Sequence, residues 1–204
     1  MNQIEVCGRF VQELRKSHET HGEKLFVGSI AVSRLSGVQD ILSVTVPGRL
    51  YGYVARLQDK AIRLKGELRS YTRTVDGKNR LTLTLYVQEA DEASKDAQND
   101  AQLSGFVCKK PVYRITPYGR ELCDVMIAVN RLHGKSDYIP CIAWGRNAKL
   151  LSLYHVGDPI SVSGRIQSRE YEKVLDSGEK IKRTVQEVSI FKMDAEIDTA
   201  DEGM

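Results

Sequence analysis

Residues 118–146, YGRELCDVMIAVNRLHGKSDYIPCIAWGR, decide how the chain of 204 residues is read. Leu122, Asp124, Met126, Ala128 and Asn130 alternate with Cys123, Val125, Ile127 and Val129. A charged turn with a glycine follows, and then Tyr138-Ile139-Pro140-Cys141-Ile142-Ala143-Trp144. Two apolar runs rich in β-branched and aromatic residues, split by a turn, predict a β-hairpin. Neither run has the three-and-four apolar spacing of a helix. The stretch also has a twin. Moved back by 97 positions, it lies without a gap over residues 21–49, HGEKLFVGSIAVSRLSGVQDILSVTVPGR. Gly22 meets Gly119, Ile30-Ala31-Val32 meets Ile127-Ala128-Val129, Arg34-Leu35 meets Arg131-Leu132, Asp40 meets Asp137, and Gly48-Arg49 meets Gly145-Arg146. The chain therefore reads as two copies of one unit, with a period too long for a solenoid.

Working outward, each copy opens on a strand with a glycine inside it: residues 2–12 with Gly8, and 102–110 with Gly105. A glycine within a strand marks a bulge or bend. Polar residues 13–24 and their counterparts 111–121 read as turn material before the hairpin. After the hairpin each copy has a short amphipathic stretch, 49–59 and 146–156, in which Leu150, Leu151 and Tyr154 have helical spacing. Two more strands close each unit, with Gly66 and Gly164 inside them and turns containing Asp and Gly between them. Five antiparallel strands, with a helix between the third and fourth, fit an OB-fold barrel. A β-sandwich is the competing topology, and the helix at the same place in both copies argues against it. The expected class is mainly all-β, two tandem five-stranded OB-fold barrels. The expected division is a first barrel at 1–88, an acidic linker at 89–101, a second barrel at 102–193 and an acidic tail at 194–204.

The net charge of +3 hides a segregation. Residues 89–101 carry five acids and one lysine, and 194–204 carry five acids and no base, while 1–88 and 102–193 are each +6. Basic domains on acidic tethers favour a polyanionic partner, although such charge also merely solubilises a surface. The four cysteines, Cys7, Cys108, Cys123 and Cys141, have no metal-ligand spacing and read as free thiols of a reducing compartment. No apolar run reaches the ~18 residues of a membrane helix, and the first residues lack a signal peptide's apolar core. These features place the chain in the cytoplasm, with the nucleoid, away from membranes.

Catalysis finds no support. The four histidines lie in turns or at a helix end, and no GxSxG, P-loop, HExxH or GxGxxG motif occurs. Asp40 and Asp137 recur at the start of the same strand, without a second acid beside either, and read as turn or strand-start residues rather than metal ligands. No enzyme activity, metal or cofactor is implied.

Binding finds more. Tyr138 and Trp144 are six apart, an even spacing that puts both on one face of a strand. Arg131, Arg146, Arg165, Arg169 and Tyr171 fall on neighbouring segments, with Lys182 at the end of the last hairpin and Arg120 before the first. Rings interleaved with arginines suit single-stranded nucleic acid, since bases stack on rings and phosphates meet cations. The competing reading buries Tyr138 and Trp144 in the core.

Thr116-Pro117-Tyr118-Gly119, Ala128-Val129-Asn130, Trp144-Gly145, the amphipathic stretch RNAKLLSLYHV, then Gly157-Asp158 and Gly164-Arg165-Ile166-Gln167-Ser168-Arg169-Glu170-Tyr171 together resemble the bacterial single-stranded DNA-binding protein family across residues 103–193. The resemblance puts Tyr138, Trp144 and Tyr171 on the family's base-stacking positions, with His133 near another. In the first copy Ile41 and Pro47 replace Tyr138 and Trp144, while the basic residues Arg34, Arg49 and Arg69 persist and Tyr71 lies near the Tyr171 position. That copy reads as degenerate, keeping fold and charge. The resemblance implies a non-catalytic protein that binds single-stranded DNA largely without sequence preference, in replication, recombination or repair. It implies a homodimer presenting four barrels, and contacts with replication or repair proteins, although the end AEIDTADEGM lacks the family's Pro-Phe tip. The alternatives are a primosome-like accessory module of replication restart with weak nucleic-acid binding, and an RNA-binding OB module.

Overall fold

The computed structural model describes residues 1–75, 77–93, 98–131, 134–174 and 180–194; of residues 75, 78, 171–174 and 181–183 it describes the main chain alone. The first copy consists of β1 (Asn2–Thr20), β2 (Glu23–Ser33), β3 (Gln39–Pro47), α1 (Gly48–Ala55), β4 (Ile62–Val75) and β5 (Lys78–Glu92). β1 pairs with β2 and β4, β2 with β3, and β4 with β5, all antiparallel, and a short parallel contact between β3 and β5 closes the ring. The second copy repeats this with β6 (Asn99–Val107), β7 (Val112–Ile115), β8 (Glu121–Asn130), β9 (Ser136–Trp144), α2 (Arg146–Leu151), β10 (Pro159–Val174) and β11 (Lys180–Asp194). β9 and β11 make its parallel contact. The fold is therefore mainly all-β, two tandem OB-type barrels with a helix after the third strand, as the hairpin and its twin require. No helix among the described residues is long and apolar enough to cross a membrane.

Alternation fills the barrels. Ile4, Val6, Leu64 and Leu85 point inward in the first, and Leu103, Ile127, Ile139 and Ile166 in the second, all buried in one apolar cluster that runs through both. Val54 of α1, and Ala148 and Leu151 of α2, plug the barrel ends. Cys7, Cys123 and Cys141 are buried, Cys108 is half-buried, and none of the four is in a disulfide. Burial pushes the Cys123 thiol up to about 11 and pushes the Cys141 thiol up as well.

Each barrel closes because its first strand changes partner at a glycine. Gly8 pairs with Ile62 of β4, and Arg9, the next residue, pairs with Ala31 of β2. Gly105 pairs with Ile160 of β10, and Phe106 with Ala128 of β8. A Cβ at these glycines would sit 2.3 Å and 2.2 Å from the carbonyl oxygens of Ala31 and Ala128. Only hydrogen fits at that crossing.

The barrels join edge to edge. β1 lies antiparallel to β6, from Asn2 opposite Leu103 to Val6 opposite Asn99, so one eleven-stranded sheet runs through both. The seam is pseudo-symmetric. Asn2 bonds the main chain of Leu68 through both its amide atoms, at 2.8 and 2.9 Å, and Asn99 does the same to Ile166 at 2.7 and 2.9 Å.

Four sequence expectations need correction. Residues 13–20, read as turn material, continue β1, and the turn shrinks to His21-Gly22, both at positive φ (48° and 77°) as a two-residue hairpin turn requires. In the second copy the same strand is cut into β6 and β7 by residues 108–111, where Pro111 cannot donate a ladder hydrogen bond. The expected linker, 89–101, is narrower. Glu89–Glu92 complete β5 against β4, and Asn99–Ala101 begin β6 against β1, because ladder bonds between main chains ask nothing apolar of the side chains. The helices stop earlier than 59 and 156, at Ala55 and Leu151.

Candidate nucleic-acid interface

Along β9 the odd residues Asp137, Ile139, Cys141 and Ala143 face inward and are buried. Of the even residues, Ile142 is buried as well, while Ser136, Tyr138, Pro140 and Trp144 are exposed in part. Tyr138 is 48% exposed, and Trp144 is part-exposed and outside the buried core cluster, so the reading that buries these two rings fails. Trp144 pairs with Leu122 at the start of β8, and Arg120, just before that strand, holds its guanidinium carbon 4.6 Å from the Trp144 ring centroid. A cation over the indole face in this way contributes roughly 0.5–1 kcal/mol at an exposed site. Arg146 is exposed at the start of α2.

β11 adds a ring that sequence reading passed over. Ser189 pairs with Ile142 in the parallel contact, and Phe191 lies two residues beyond Ser189 as Trp144 lies two beyond Ile142. Period two therefore puts both rings on the same outer face. Phe191 is 59% exposed, with Arg165 5.6 Å from its centroid and Asn147 donating to its carbonyl oxygen at 2.9 Å. The signal was available in Val188-Ser189-Ile190-Phe191, where an inward Val and Ile leave Phe191 facing out.

The cations divide into free and held. Among the described residues, no ion pair holds Arg120, Arg146 or Arg165. Arg169 lies 3.5 Å from the Glu187 carboxylate, and Arg49 lies 3.0 Å from Glu23. Arg34 and Arg131 each make a two-point ion pair with a fully buried carboxylate, Asp40 and Asp137. The hydrogen bonds to these carboxylates raise both guanidinium pKa values above the ordinary one. Asp40 and Asp137 are the second residues of β3 and β9, in keeping with the strand-start reading, and they have a further role. They lie at the junction between the barrels, where Asp40 accepts from the main-chain N–H of Ser168 and Asp137 from that of Ser70.

The first copy carries its own groove, a cavity of about 770 Å³ lined by Arg15, His18, Arg69, Tyr71 and Arg73, with Arg131 reaching it from the second copy. Arg69 lies 3.4 Å above the Tyr86 ring, and Tyr71 is 46% exposed. Pro47 is buried where the second copy has Trp144. The sequence reading missed Arg15 and His18 because it placed them in a turn, and missed Tyr86 because its cationic cap comes from another strand. Tyr171 and Lys182 pair through their main chains with Arg183 and Glu172. Their side chains, and His133, lie outside the described residues.

These features define a tandem OB-fold protein with a ring-and-arginine outer face on its second barrel. Comparison with known proteins supplies the family. The model of the single-strand binding protein family matches residues 98–195. Single-stranded DNA-binding protein B of Bacillus subtilis (strain 168) is 37% identical over 81 residues, which are 36% of this chain and 72% of that protein. The single-stranded DNA-binding protein of Clostridium tetani is 36% identical over 81 residues, 36% of this chain and 56% of its own length. The crystal structure of the wild-type single-stranded DNA binding protein from Thermus aquaticus shares the fold across 95% of this chain and 92% of that one, with TM-score 0.75 at 20% identity. The chain belongs to the single-strand binding protein family.

Proposed function

We propose that this chain binds single-stranded DNA without catalysis and largely without sequence preference, in replication, recombination or repair. The observation that carries the reading is Trp144, whose ring stands on the outer face of β9 with Arg120 over it and Phe191 on the neighbouring strand. Bases stack on Trp144, Phe191 and Tyr138, while Arg120, Arg146 and Arg165 meet phosphates. The names of the relatives support the ligand class. Arg34, Arg49, Arg131 and Arg169, already engaged by carboxylates, contribute less than the free arginines. Tyr171 and Lys182 remain part of the proposed surface through their place on β10 and β11.

Trp144 is the sole tryptophan, so its fluorescence reports on this surface directly. Titration with oligo-dT is expected to quench it, and added salt to reverse the quench as cations return to the strand. A Trp144→Ala variant, followed by anisotropy of a labelled oligonucleotide, is expected to lose about 1–3 kcal/mol of binding, the usual contribution of one stacked base. Binding without quenching would move the contact to the arginines. No binding at low salt would overturn the reading in favour of the replication-accessory module, and a preference for a matched RNA oligomer would favour the RNA-binding one.

The reading includes a homodimer of four barrels. Light scattering is then expected to give twice the chain mass of 22.9 kDa, and the single mass in its place would remove that part of the proposal.

A further inference from the structure

Among the described residues, away from the β1–β6 seam, a serine–aspartate pair joins the two copies at each of two places. At the one that includes Ile41, the Gln186 side-chain amide also donates to the Ile41 carbonyl oxygen at 3.4 Å and to Ser43 Oγ at 3.2 Å. Ser70 of β4 faces the start of β9. Its main-chain N–H donates to Asp137 Oδ1 at 2.5 Å, and its Oγ accepts the main-chain N–H of Tyr138 at 2.8 Å. Ser168 of β10 faces β3 in the same way. Its N–H donates to Asp40 Oδ1 at 2.7 Å, and its Oγ accepts the N–H of Ile41 at 2.9 Å. Each serine stands four residues beyond a strand glycine, Gly66 or Gly164. Each aspartate is fully buried and fixed by an arginine of its own copy. A serine of one copy thus clasps an aspartate and the residue after it in the other.

The clasped residue is what differs. On one side it is Tyr138, a half-exposed ring of the interface, and on the other it is Ile41, which has no ring. We infer that Ser70 is a positioning residue, through which the first copy sets the pose of Tyr138 in the second copy's nucleic-acid interface. The inference rests on the single-stranded DNA reading of Tyr138. The bond reaches the main chain of Tyr138, so it fixes where β9 begins and hence the direction in which Tyr138 leaves the strand. A ring held in its bound pose gives up less freedom when a base stacks on it. This assigns the first copy a part in binding that needs no stacking ring at the Tyr138 and Trp144 positions.

The two clasps provide their own control. In the full chain, Ser70→Ala and Ser168→Ala each delete one hydroxyl and leave one main-chain N–H without its partner. Similar losses of stability in urea are expected from the two. Oligo-dT affinity is expected to fall about fivefold for Ser70→Ala and to stay at the wild-type value for Ser168→Ala. In a Tyr138→Ala background, Ser70→Ala is expected to change affinity no further. Equal losses of affinity from both serines, an unchanged affinity for Ser70→Ala, or a full further loss in the Tyr138→Ala background would each overturn the positioning role. A wild-type chain that fails to bind oligo-dT would instead overturn the reading on which this one rests.

Discussion

The Gly105→Ala variant is expected to lose about 3 kcal/mol of stability or more, a large effect for a single added methyl. The reason is steric and local. The new Cβ would lie 2.2 Å from the Ala128 carbonyl oxygen, 3.0 Å from that residue's carbonyl carbon and 3.1 Å from Ile127 Cγ2. Two of these three atoms are main chain, held by the β8–β9 ladder, so no flexible tip can swing aside. Either β6 leaves β8 or β6 leaves β10, and each parting opens the barrel. Gly52 is the control. It lies in α1, where an added methyl would meet nothing within 4 Å, and Gly52→Ala is expected to gain about 0.5–1 kcal/mol from reduced freedom in the unfolded chain. Urea unfolding followed by Trp144 fluorescence reads both, and a Gly105→Ala midpoint equal to wild type would refute the crossing described for β6.

The second large effect belongs to Asp137. Its side chain is fully buried, accepts from both sides of the Arg131 guanidinium, and takes the Ser70 main-chain N–H from the other barrel. Asp137→Ala removes all of these at once. Breaking a buried pair by deleting one partner costs roughly 3–5 kcal/mol when the survivor stays buried. The Arg131 side chain keeps 26% exposure and regains some water, so the lower part of that range, about 3 kcal/mol, is expected. Asp137→Asn retains an acceptor for Ser70 and should lose about half as much. Adding Arg131→Met to Asp137→Ala should recover part of the loss, because the orphaned charge goes with it. Thermal or urea unfolding of the three variants decides this. A double variant less stable than Asp137→Ala alone would show that Arg131 contributes through contacts other than this carboxylate.

The fold was legible because its central hairpin is strictly alternating and is written twice. Val125, Ile127 and Val129 against Asp124, Met126 and Ala128 leave one register to choose, and the twin at 25–35 confirms it. β1 was less legible for a physical reason. Its ladder with β2 slips between Phe10 and Gln12, between Gln12 and Arg15, and between Lys16 and His18, and each slip breaks the period of two. With Leu14 alone buried from 11 to 20, residues 13–20 have the composition of a loop and the conformation of a strand. For the interface, parity placed Tyr138 and Trp144 on one face, and the structure shows that face to be the outer one. Parity could not show what covers Asp40 and Asp137, whose partners Ser168 and Ser70 lie 128 and 67 positions away. Nor could charge alone separate Arg120, which faces a ring, from Arg131, which faces a carboxylate.

The β1–β6 seam has one more consequence. Between two identical chains an isologous contact is bound by symmetry, so a substitution on one side appears on the other as well. Here both sides of the seam lie on a single chain, and each side changes alone. Pro47 can stand where Trp144 stands, and Ile41 where Tyr138 stands, without removing either ring from its partner. Covalent linkage thereby turns a symmetric pair into two barrels free to specialise, one keeping Tyr138 and Trp144 and the other the Ser70 hydroxyl that bonds the main chain of Tyr138.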